Sequence, residues 1–392
     1  MDLKVSFDRI AEQAQTAPLV YIAAAAPGGV ALIVGTDGGV TRELLPGLTF
    51  EALRDQAADY YETYSAWKKE GDRARWNAAL DDIGKWLWQQ VMGPVLEVLP
   101  PVAEIVLIPG GYLALLPLHA AWVEDRTAPT GRRYALDDVR ISYSANARAL
   151  HEARQMSGKV TPDSILIVEQ PIPVRACPLN NASMEADAVR CFFAGSQPLR
   201  EKEPVVHLQH EKATRVAVKA ELARYAVLHF CCHGSADPGE PLSGGLFMAN
   251  DEVLTVRDVM AQRETPARLA VLSACETSMP GAVLPDEVVG LPTGLVEGGV
   301  AGVVGSLWSV PDLSTALLMM RFYELWRAEG IEPCEALRQA QRWLRDATNG
   351  EIAARFPTRG EVRGGDRAHR LWAAARPYRH ANFWAAFTYT GA

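Results

Sequence analysis

VLHFCCHGSAD, residues Val227–Asp237, begins as an apolar strand and ends in a His-Gly pair. A second stretch, Leu269–Gly281 (LAVLSACETSMPG), follows the same course and leaves its apolar run at Cys275. Around them, short apolar runs alternate with helical segments, which is the βαβ pattern of a parallel sheet covered on both faces. The sequence therefore predicts an α/β fold with His233 and Cys275 at the carboxyl ends of two strands.

His233 and Cys275 stand where an α/β sheet carries out its chemistry, because the active crevice lies beyond the carboxyl ends of the strands. If the two strands are neighbours, the imidazole can take the thiol proton and stabilise the thiolate, which is the nucleophilic form of cysteine. Gly234 permits a sharp turn, so the backbone N–H groups of Gly234 and Cys275 are candidates for an oxyanion hole. The pattern predicts a catalytic Cys-His dyad.

The other cysteines and histidines of the first stretch have simpler interpretations. We expect Cys231 and Cys232 to be small core residues and His229 to be a satisfied core histidine. Residues 229, 231 and 233 share one face of a strand, so His229, Cys231 and His233 form an alternative metal site. The sequence offers no further ligand motif, and our prediction contains no metal and no cofactor.

Composition narrows the class of protein. The 392 residues are 48% hydrophobic and 22% charged, which suits a globular protein with a substantial core. A net charge of -8 argues against direct nucleic-acid binding through a basic face. The sequence shows neither a long apolar run for a membrane span nor a secretory signal, and its six cysteines lack framework spacing. We expect a cytoplasmic protein.

Several segments, taken in order, resemble the CHAT domain, a bacterial caspase-like family that is also similar to separases. They are VLHFCCHG (227–234), LSGGLFMANDEVLTVRDV (242–259), LAVLSACETS (269–278), DEVVGLPTGLVEGGVAGVVGSLWSVPD (286–312), CEALRQAQRWL (334–344) and HANFWAAFTYTG (380–391). The resemblance implies a caspase-like α/β sandwich with a mainly parallel central sheet flanked by helices. In this resemblance, His233 corresponds to the family's histidine and Cys275 corresponds to its cysteine.

The resemblance also implies that a catalytically silent, pseudo-caspase-like half precedes the active half. A boundary near residue 155 then gives an N-terminal pseudo-protease half, 1–155, and a C-terminal caspase-like protease half, 156–392. In the first half, the segment YLALLPLHA (112–120) carries no His-Gly pair and no cysteine at its end. We therefore expect His119 to be structural.

Two positions depart from relatives that cleave after basic residues. Metacaspases carry an aspartate two residues before the cysteine, where this chain has Ser273. Separases show L-W-D-V-T-D where this chain has LWSVPD, 307–312, so a serine, Ser309, replaces one aspartate. These serines argue against a preference for Arg or Lys at P1 and are compatible with a neutral or apolar P1 residue, and the sequence does not determine the preference. We take Ser273, Glu276, Ser309 and Asp312 as candidates for the substrate groove, and Asp312 also as the N-cap of its helix.

The expected function is that of a cysteine endopeptidase that cleaves protein substrates. The sequence shows no tetratricopeptide repeat, whose period is about 34 residues, so an activating or sensor protein is expected on a separate chain. The resemblance implies a role in bacterial defence or another regulatory pathway. Two alternatives remain open: a catalytically silent caspase-like binding or scaffold module, and a metal hydrolase built on the HFCCH segment.

Overall fold

The structure, a computed structural model, describes residues 6–195, 203–236, 239–262, 265–274, 290–357 and 366–392. Its strands in chain order are β1 (Leu19–Ala23), β2 (Gly29–Val34), β3 (Val40–Leu45), β4 (Glu104–Pro109), β5 (Trp122–Glu124), β6 (Arg132–Tyr134), β7 (Arg140–Tyr143), β8 (Ile165–Glu169), β9 (Val205–Gln209), β10 (Val227–Cys231), β11 (Gly234–Ser235), β12 (Gly245–Met248), β13 (Glu252–Thr255), β14 (Ala267–Leu272), β15 (Val300–Ser306) and β16 (Phe387–Gly391).

Eleven strands of the described chain form one sheet, in the order β3-β2-β1-β4-β7-β16-β15-β14-β10-β8-β9. At one side, β9, β8, β10, β14 and β15 are parallel, and β16 runs antiparallel to β15. At the other side, β1, β4 and β7 are parallel, and β2 and β3 continue as antiparallel strands. The predicted α/β fold with a mainly parallel central sheet is confirmed.

The register of β10 and β14 brings the two predicted catalytic segments together. The strands are parallel neighbours, and Phe230 of β10 lies opposite Leu272 of β14. Every residue of both strands is buried, as their continuous apolar runs predict for a sheet covered on both faces. In the sequence, His233 follows Phe230 by three residues, and Cys275 likewise follows Leu272 by three residues. Both strands therefore end at one edge of the sheet, on the approach to these two residues.

Helices flank this sheet, and their cores lie on both of its faces. In chain order they are α1 (Phe7–Ala14), α2 (Phe50–Glu70), α3 (Arg73–Leu87), α4 (Gly93–Val98), α5 (Ala135–Asp138), α6 (Ala147–Ser157), α7 (Ala182–Cys191), α8 (Arg215–Glu221), α9 (Val256–Ala261), α10 (Leu291–Glu297), α11 (Asp312–Tyr323), α12 (Pro333–Asp346), α13 (Asn349–Arg355) and α14 (Asp366–Ala374). Helices α3 and α11 each continue into a π turn, at 88–92 and 324–328. None of the described helices has the length and apolar character needed to cross a bilayer.

One hydrophobic core crosses the boundary predicted near residue 155. Trp76 of α3 is fully buried, and its Nε1 donates to Oδ1 of Asn382 at 3.1 Å. The Trp76 ring packs edge-on against Trp308, with 5.9 Å between ring centroids. Truncating a buried tryptophan of this kind costs about 3–5 kcal/mol. The predicted halves therefore share a core as well as a sheet, and their status as separate domains stays a prediction.

Three elements differ from what the sequence suggests. Strand β9 is a half-buried edge strand without a clear apolar run. The β12–β13 hairpin turns at Asn250, whose φ of 68° is the left-handed conformation that asparagine tolerates. The segment 356–379, which its Gly/Arg-rich sequence predicts to be a loop, contains α14. None of these three elements belongs to the β10–β14 strand pair.

Candidate active site

His233 follows β10 at the carboxyl edge of the sheet, and both its main chain and its ring have partners. Its carbonyl oxygen accepts the N–H of Phe247 at 2.8 Å. The next residues form β11, which pairs with Gly245 and Leu246 of β12. The ring Nε2 lies 2.7 Å from the carbonyl oxygen of Cys177. The small sheet of β11, β12 and β13 thus holds the backbone, while the segment before α7 holds the imidazole.

The contact with Cys177 determines which ring nitrogen of His233 carries the proton. A carbonyl oxygen can only accept a hydrogen bond, so Nε2 is the donor in this contact. In a neutral imidazole the other nitrogen, Nδ1, is then unprotonated. An unprotonated ring nitrogen is what a general base requires. His233 is half-buried, so its ring is held by the protein without being sealed inside it.

Cys275 and Glu276 lie outside the described residues, so the dyad and the oxyanion role of the Cys275 N–H stay predictions. The structure describes the chain up to Ala274, which is buried and whose carbonyl oxygen accepts the hydroxyl of Ser306 at 2.7 Å. Gly234, the other oxyanion candidate, is half-buried in β11. The end of β14 is thus fixed to β15 immediately before the predicted nucleophile.

A small cavity that is partly open to solvent lies at the carboxyl ends of β10, β14 and β15. Most of its lining is apolar or neutral, and two carboxylates are included. The lining residues are Leu179, Ala182, Glu185, Cys231, Cys232, Ser273, Ala274, Ser306, Val310, Asp312, Thr315 and Phe387. Of the predicted groove residues, Ser273 and Asp312 line this cavity and Ser309 does not.

Asp312 is the first residue of α11, and the capping position before it is occupied by Pro311 in extended conformation. The prediction that Asp312 caps this helix is therefore wrong. Its Oδ2 instead accepts two hydrogen bonds from Asn181, from the backbone N–H and from Nδ2, each at 2.8 Å. The carboxylate is used to fix the chain at the start of α7, in the segment that also carries Cys177.

The two serines that stand at positions acidic in some relatives differ in their surroundings. Ser273 is 7% exposed, and its hydroxyl has no hydrogen-bond partner among the described residues. The backbone N–H of Ser309 donates to the hydroxyl of Tyr64 in α2 at 2.9 Å. Ser309 therefore ties the loop after β15 to the first half of the chain, whereas Ser273 faces the cavity.

Comparison with protein-family models gives a match to the CHAT domain over residues 81–392. The chain belongs to the CHAT domain family. The match covers both motifs at the carboxyl edge and extends upstream into α3, so much of the first half lies within the CHAT domain. The predicted resemblance is confirmed.

Solved separase structures share the fold of this CHAT protein. Two structures of the Saccharomyces cerevisiae separase–securin complex match with TM-scores of 0.61 and 0.59, at 11% and 10% identity. Each match covers 98% of this chain and 31% of the separase chain. The Arg-specific cysteine proteinase gingipain R matches with a TM-score of 0.43 at 8% identity, covering 80% of this chain and 67% of that one. No curated protein matches the sequence.

The CHAT fold also buries a carboxylate that sequence reasoning missed. Glu185, in the first turn of α7, is 2% exposed, and its Oε1 lies 3.1 Å from Nε2 of His229. The other ring nitrogen of His229 is 3.2 Å from the hydroxyl of Tyr323. Burial raises the pKa of the nearby Cys231 thiol, and the Glu185 carboxylate adds to the effect. A glutamate in an amphipathic helix gives no sequence signal of such burial.

The alternative metal site does not form with the predicted residues. His229 and Cys231 share a face of β10 and are fully buried, as core residues should be, and Cys232 is buried too. His233 lies beyond the end of β10, where the alternation of a strand no longer applies, and its ring faces the Cys177 carbonyl instead. Glu185, instead of the predicted His233, lies beside His229 and Cys231.

Proposed function

We propose that this CHAT protein is a cysteine endopeptidase in which Cys275 is the nucleophile and His233 the general base. The observation that carries the proposal is the contact between His233 Nε2 and the Cys177 carbonyl oxygen, because it leaves Nδ1 available to accept a proton. The parallel pairing of β10 with β14 supports the same assignment, since the chain approaches both residues along neighbouring strands.

The proposed reaction begins when His233 Nδ1 takes the thiol proton of Cys275 and the sulfur attacks the carbonyl carbon of the scissile peptide bond. Negative charge develops on the carbonyl oxygen, where the N–H groups of Gly234 and Cys275 stabilise it. The C–N bond breaks as the imidazolium returns the proton to the leaving amine. Water, deprotonated by the same imidazole, then hydrolyses the thioester. The Cys177 carbonyl stabilises the imidazolium through its charge-assisted bond to Nε2–H.

The cavity beside this edge supports a neutral or apolar P1 residue. Neither of its two carboxylates is accessible for pairing, because Glu185 is only 2% exposed beside His229 and Asp312 accepts both hydrogen bonds from Asn181. Ser273, at the position that is acidic in metacaspases, is neutral. An arginine side chain would therefore enter this cavity without an available carboxylate, at an uncompensated desolvation cost.

The proposal includes a protein partner that controls activity. The separase chains that share this fold were solved in complex with securin. By analogy, we expect a separate sensor or activator chain, in a bacterial defence or regulatory pathway. The described cysteines Cys177, Cys191, Cys231 and Cys334 are free thiols, which suits a cytoplasmic site of action.

Covalent labelling is the first test, because it needs neither a known substrate nor an activated groove. Full-length protein is treated with a limiting amount of a peptide electrophile, and the labelled cysteine is identified by mass spectrometry. We expect Cys275 to react first, and His233→Ala to slow that reaction. Cys177→Ser is the matched control, because it removes an exposed thiol beside His233 while keeping the backbone carbonyl. Equal labelling of Cys275, Cys177 and Cys191 would overturn the dyad.

Cleavage-site profiling then identifies the substrate class. A diverse peptide library is incubated with wild type and with Cys275→Ala, and new termini are read by mass spectrometry. Termini that appear with wild type alone support the endopeptidase and give its P1 preference. Selective labelling of Cys275 without cleavage would point to a protease that needs its partner. Loss of both selective labelling and cleavage would favour the scaffold module.

A further inference from the structure

A buried cluster of three potential metal ligands lies on the β10–α7 interface. Glu185 belongs to the first turn of α7, and His229 and Cys231 lie on one face of β10. Their carboxylate oxygen, ring nitrogen and sulfur all lie within 4.8 Å of one another. The three residues are 2%, 0% and 1% exposed. The cluster is separate from His233, whose ring is held by Cys177.

Two polar atoms of this cluster, Glu185 Oε1 and His229 Nε2, have no hydrogen-bond partner among the described residues. Glu185 Oε1 and His229 Nε2 are 3.1 Å apart, which is close enough for an ion pair. The contact does not have hydrogen-bond geometry, and neither atom has a hydrogen-bond partner among the described residues. Hydrogen bonds weaken steeply when they bend, so this contact contributes little as a hydrogen bond. A buried carboxylate without a hydrogen bond or a cation is costly, and no described lysine or arginine pairs with Glu185.

The spacing of these atoms fits a tetrahedral zinc ion. Zinc–nitrogen and zinc–oxygen bonds near 2.0–2.2 Å separate two ligand atoms by about 3.3 Å, close to what Glu185 and His229 show. The Cys231 sulfur needs to approach by no more than roughly 1 Å to complete the third bond at the usual zinc–sulfur length. Glu185 and Cys231 also line the cavity, which leaves room for water as a fourth ligand.

His229 also has the outer contact that zinc-binding histidines use. Its Nδ1 lies 3.2 Å from the hydroxyl of Tyr323, which is fully buried in α11. With Nε2 on a metal, Nδ1 carries the proton and donates it to the Tyr323 oxygen, which fixes the tautomer and the ring plane. Tyr323 thus occupies the place of an outer-sphere partner.

We propose that Glu185, His229 and Cys231 bind one zinc ion that joins α7 to β10. On binding, Cys231 releases its thiol proton to solvent and coordinates as thiolate, with the His229 ring neutral and the Glu185 carboxylate ionised. The ion neutralises the buried carboxylate and fixes the start of α7 behind the His233 segment. This proposal does not depend on the protease activity of the chain.

Metal content of the full-length protein is the primary test. Untagged protein is expressed in minimal medium with added Zn2+, dialysed against metal-free buffer and assayed by mass spectrometry of the elements. We expect close to one zinc per chain. Protein grown with Co2+ instead should show the intense near-ultraviolet band of thiolate-to-cobalt charge transfer. Wild-type protein with negligible zinc and no such band would overturn the proposal, whatever the variants do.

Variants test whether the metal sits at the cluster. Cys231→Ser should reduce zinc content by about tenfold or more, because a hydroxyl is a poor zinc ligand. Tyr323→Phe should weaken zinc affinity by about tenfold, since it removes the outer contact to His229. Cys232→Ser is the matched control, a buried neighbouring thiol that packs in the other core and should leave the metal in place. Undiminished zinc in Cys231→Ser would overturn the assignment.

Discussion

The ring Nε2 of His233 lies 2.7 Å from the carbonyl oxygen of Cys177, a residue in the segment that precedes α7. This contact uses a backbone atom, so it does not depend on the side chain at position 177. The same segment is bound to α11 through Asn181 and Asp312. Two elements that are distant in sequence thus cooperate to hold one imidazole.

Replacing His233 by alanine should lower kcat/KM for peptide cleavage by about 10²–10⁴, the usual contribution of a general acid–base group. Steady-state cleavage of a substrate from the library profile measures the effect. His210→Asn is the control, because His210 also places a ring nitrogen near a backbone carbonyl, that of Gln170, and adopts a positive φ that asparagine tolerates. An effect of equal size at His210 would contradict a specific role for His233.

Asp312→Asn should lower kcat by about tenfold, because hydrogen bonds to a charged acceptor each contribute roughly 1.5–3 kcal/mol and their loss loosens the segment that holds His233. Asn181→Ala should act in the same direction. A positioning role lowers kcat for all substrates alike, while a direct substrate contact changes KM according to the P1 residue. Glu351→Gln, which alters a carboxylate that accepts the Thr348 N–H in a distant cap, should leave both constants unchanged.

Ser273→Asp should increase cleavage after arginine relative to apolar residues by roughly tenfold, because it places a carboxylate in the cavity beside the predicted nucleophile. The library profile of the variant, compared with wild type and with the neutral Ser273→Asn, measures the change. A wild type that already prefers arginine would contradict the proposed P1 class. So would an arginine preference in the asparagine variant.

His119 should make the fold less stable as the pH falls. Its Nε2 donates to the Ala385 carbonyl and its Nδ1 accepts from Tyr143, and burial lowers the pKa of His119 to about 4. An unfolded histidine titrates near 6.5, so between these values the unfolded chain binds a proton that the folded chain does not. This group therefore removes about 3 kcal/mol of stability as the pH falls from 7 through 4, and no more below that.

Urea unfolding of wild type and His119→Gln at pH 7 and pH 4.5 measures this loss. The wild type should be the more stable protein at pH 7, and its advantage should shrink on acidification because glutamine does not titrate. A constant difference between the two proteins across this range would contradict the prediction, because it would mean that the pKa of His119 is the same in the folded and unfolded states. The contacts with Tyr143 and Ala385 agree with the structural role that the sequence predicts for His119.

The central part of the fold was predictable because buried parallel strands leave continuous apolar runs in the sequence. Strands β10 and β14 are of this kind, because every residue of both strands is buried. Strand β9 is half-buried at the edge of the sheet, so nothing forces its residues into an apolar pattern. The edge strand and the β12–β13 hairpin depend on pairing partners that only the folded chain supplies.

The candidate site was also predictable only in part. His233 was predictable because it follows a buried strand with a glycine after it, whereas its partner Cys177 contributes only a backbone oxygen that no sequence pattern marks. The sequence predicts a local helix cap for Asp312 because capping is the common use of an aspartate at such a position, but its hydrogen-bond partner is Asn181, which is distant in sequence. Glu185 was missed because its burial results from tertiary packing.

Strand β16 lies between β15 and β7, in the middle of the sheet, and Phe387 at its start lines the cavity beside the predicted nucleophile. A ribosome translates every other strand of this sheet before it reaches Phe387. Until then β7 and β15 have exposed edges, which favour temporary pairing with chaperones or with other chains. We therefore expect the unfinished polypeptide to lack a complete crevice. The order of translation then delays completion of the crevice until β16 has been synthesised.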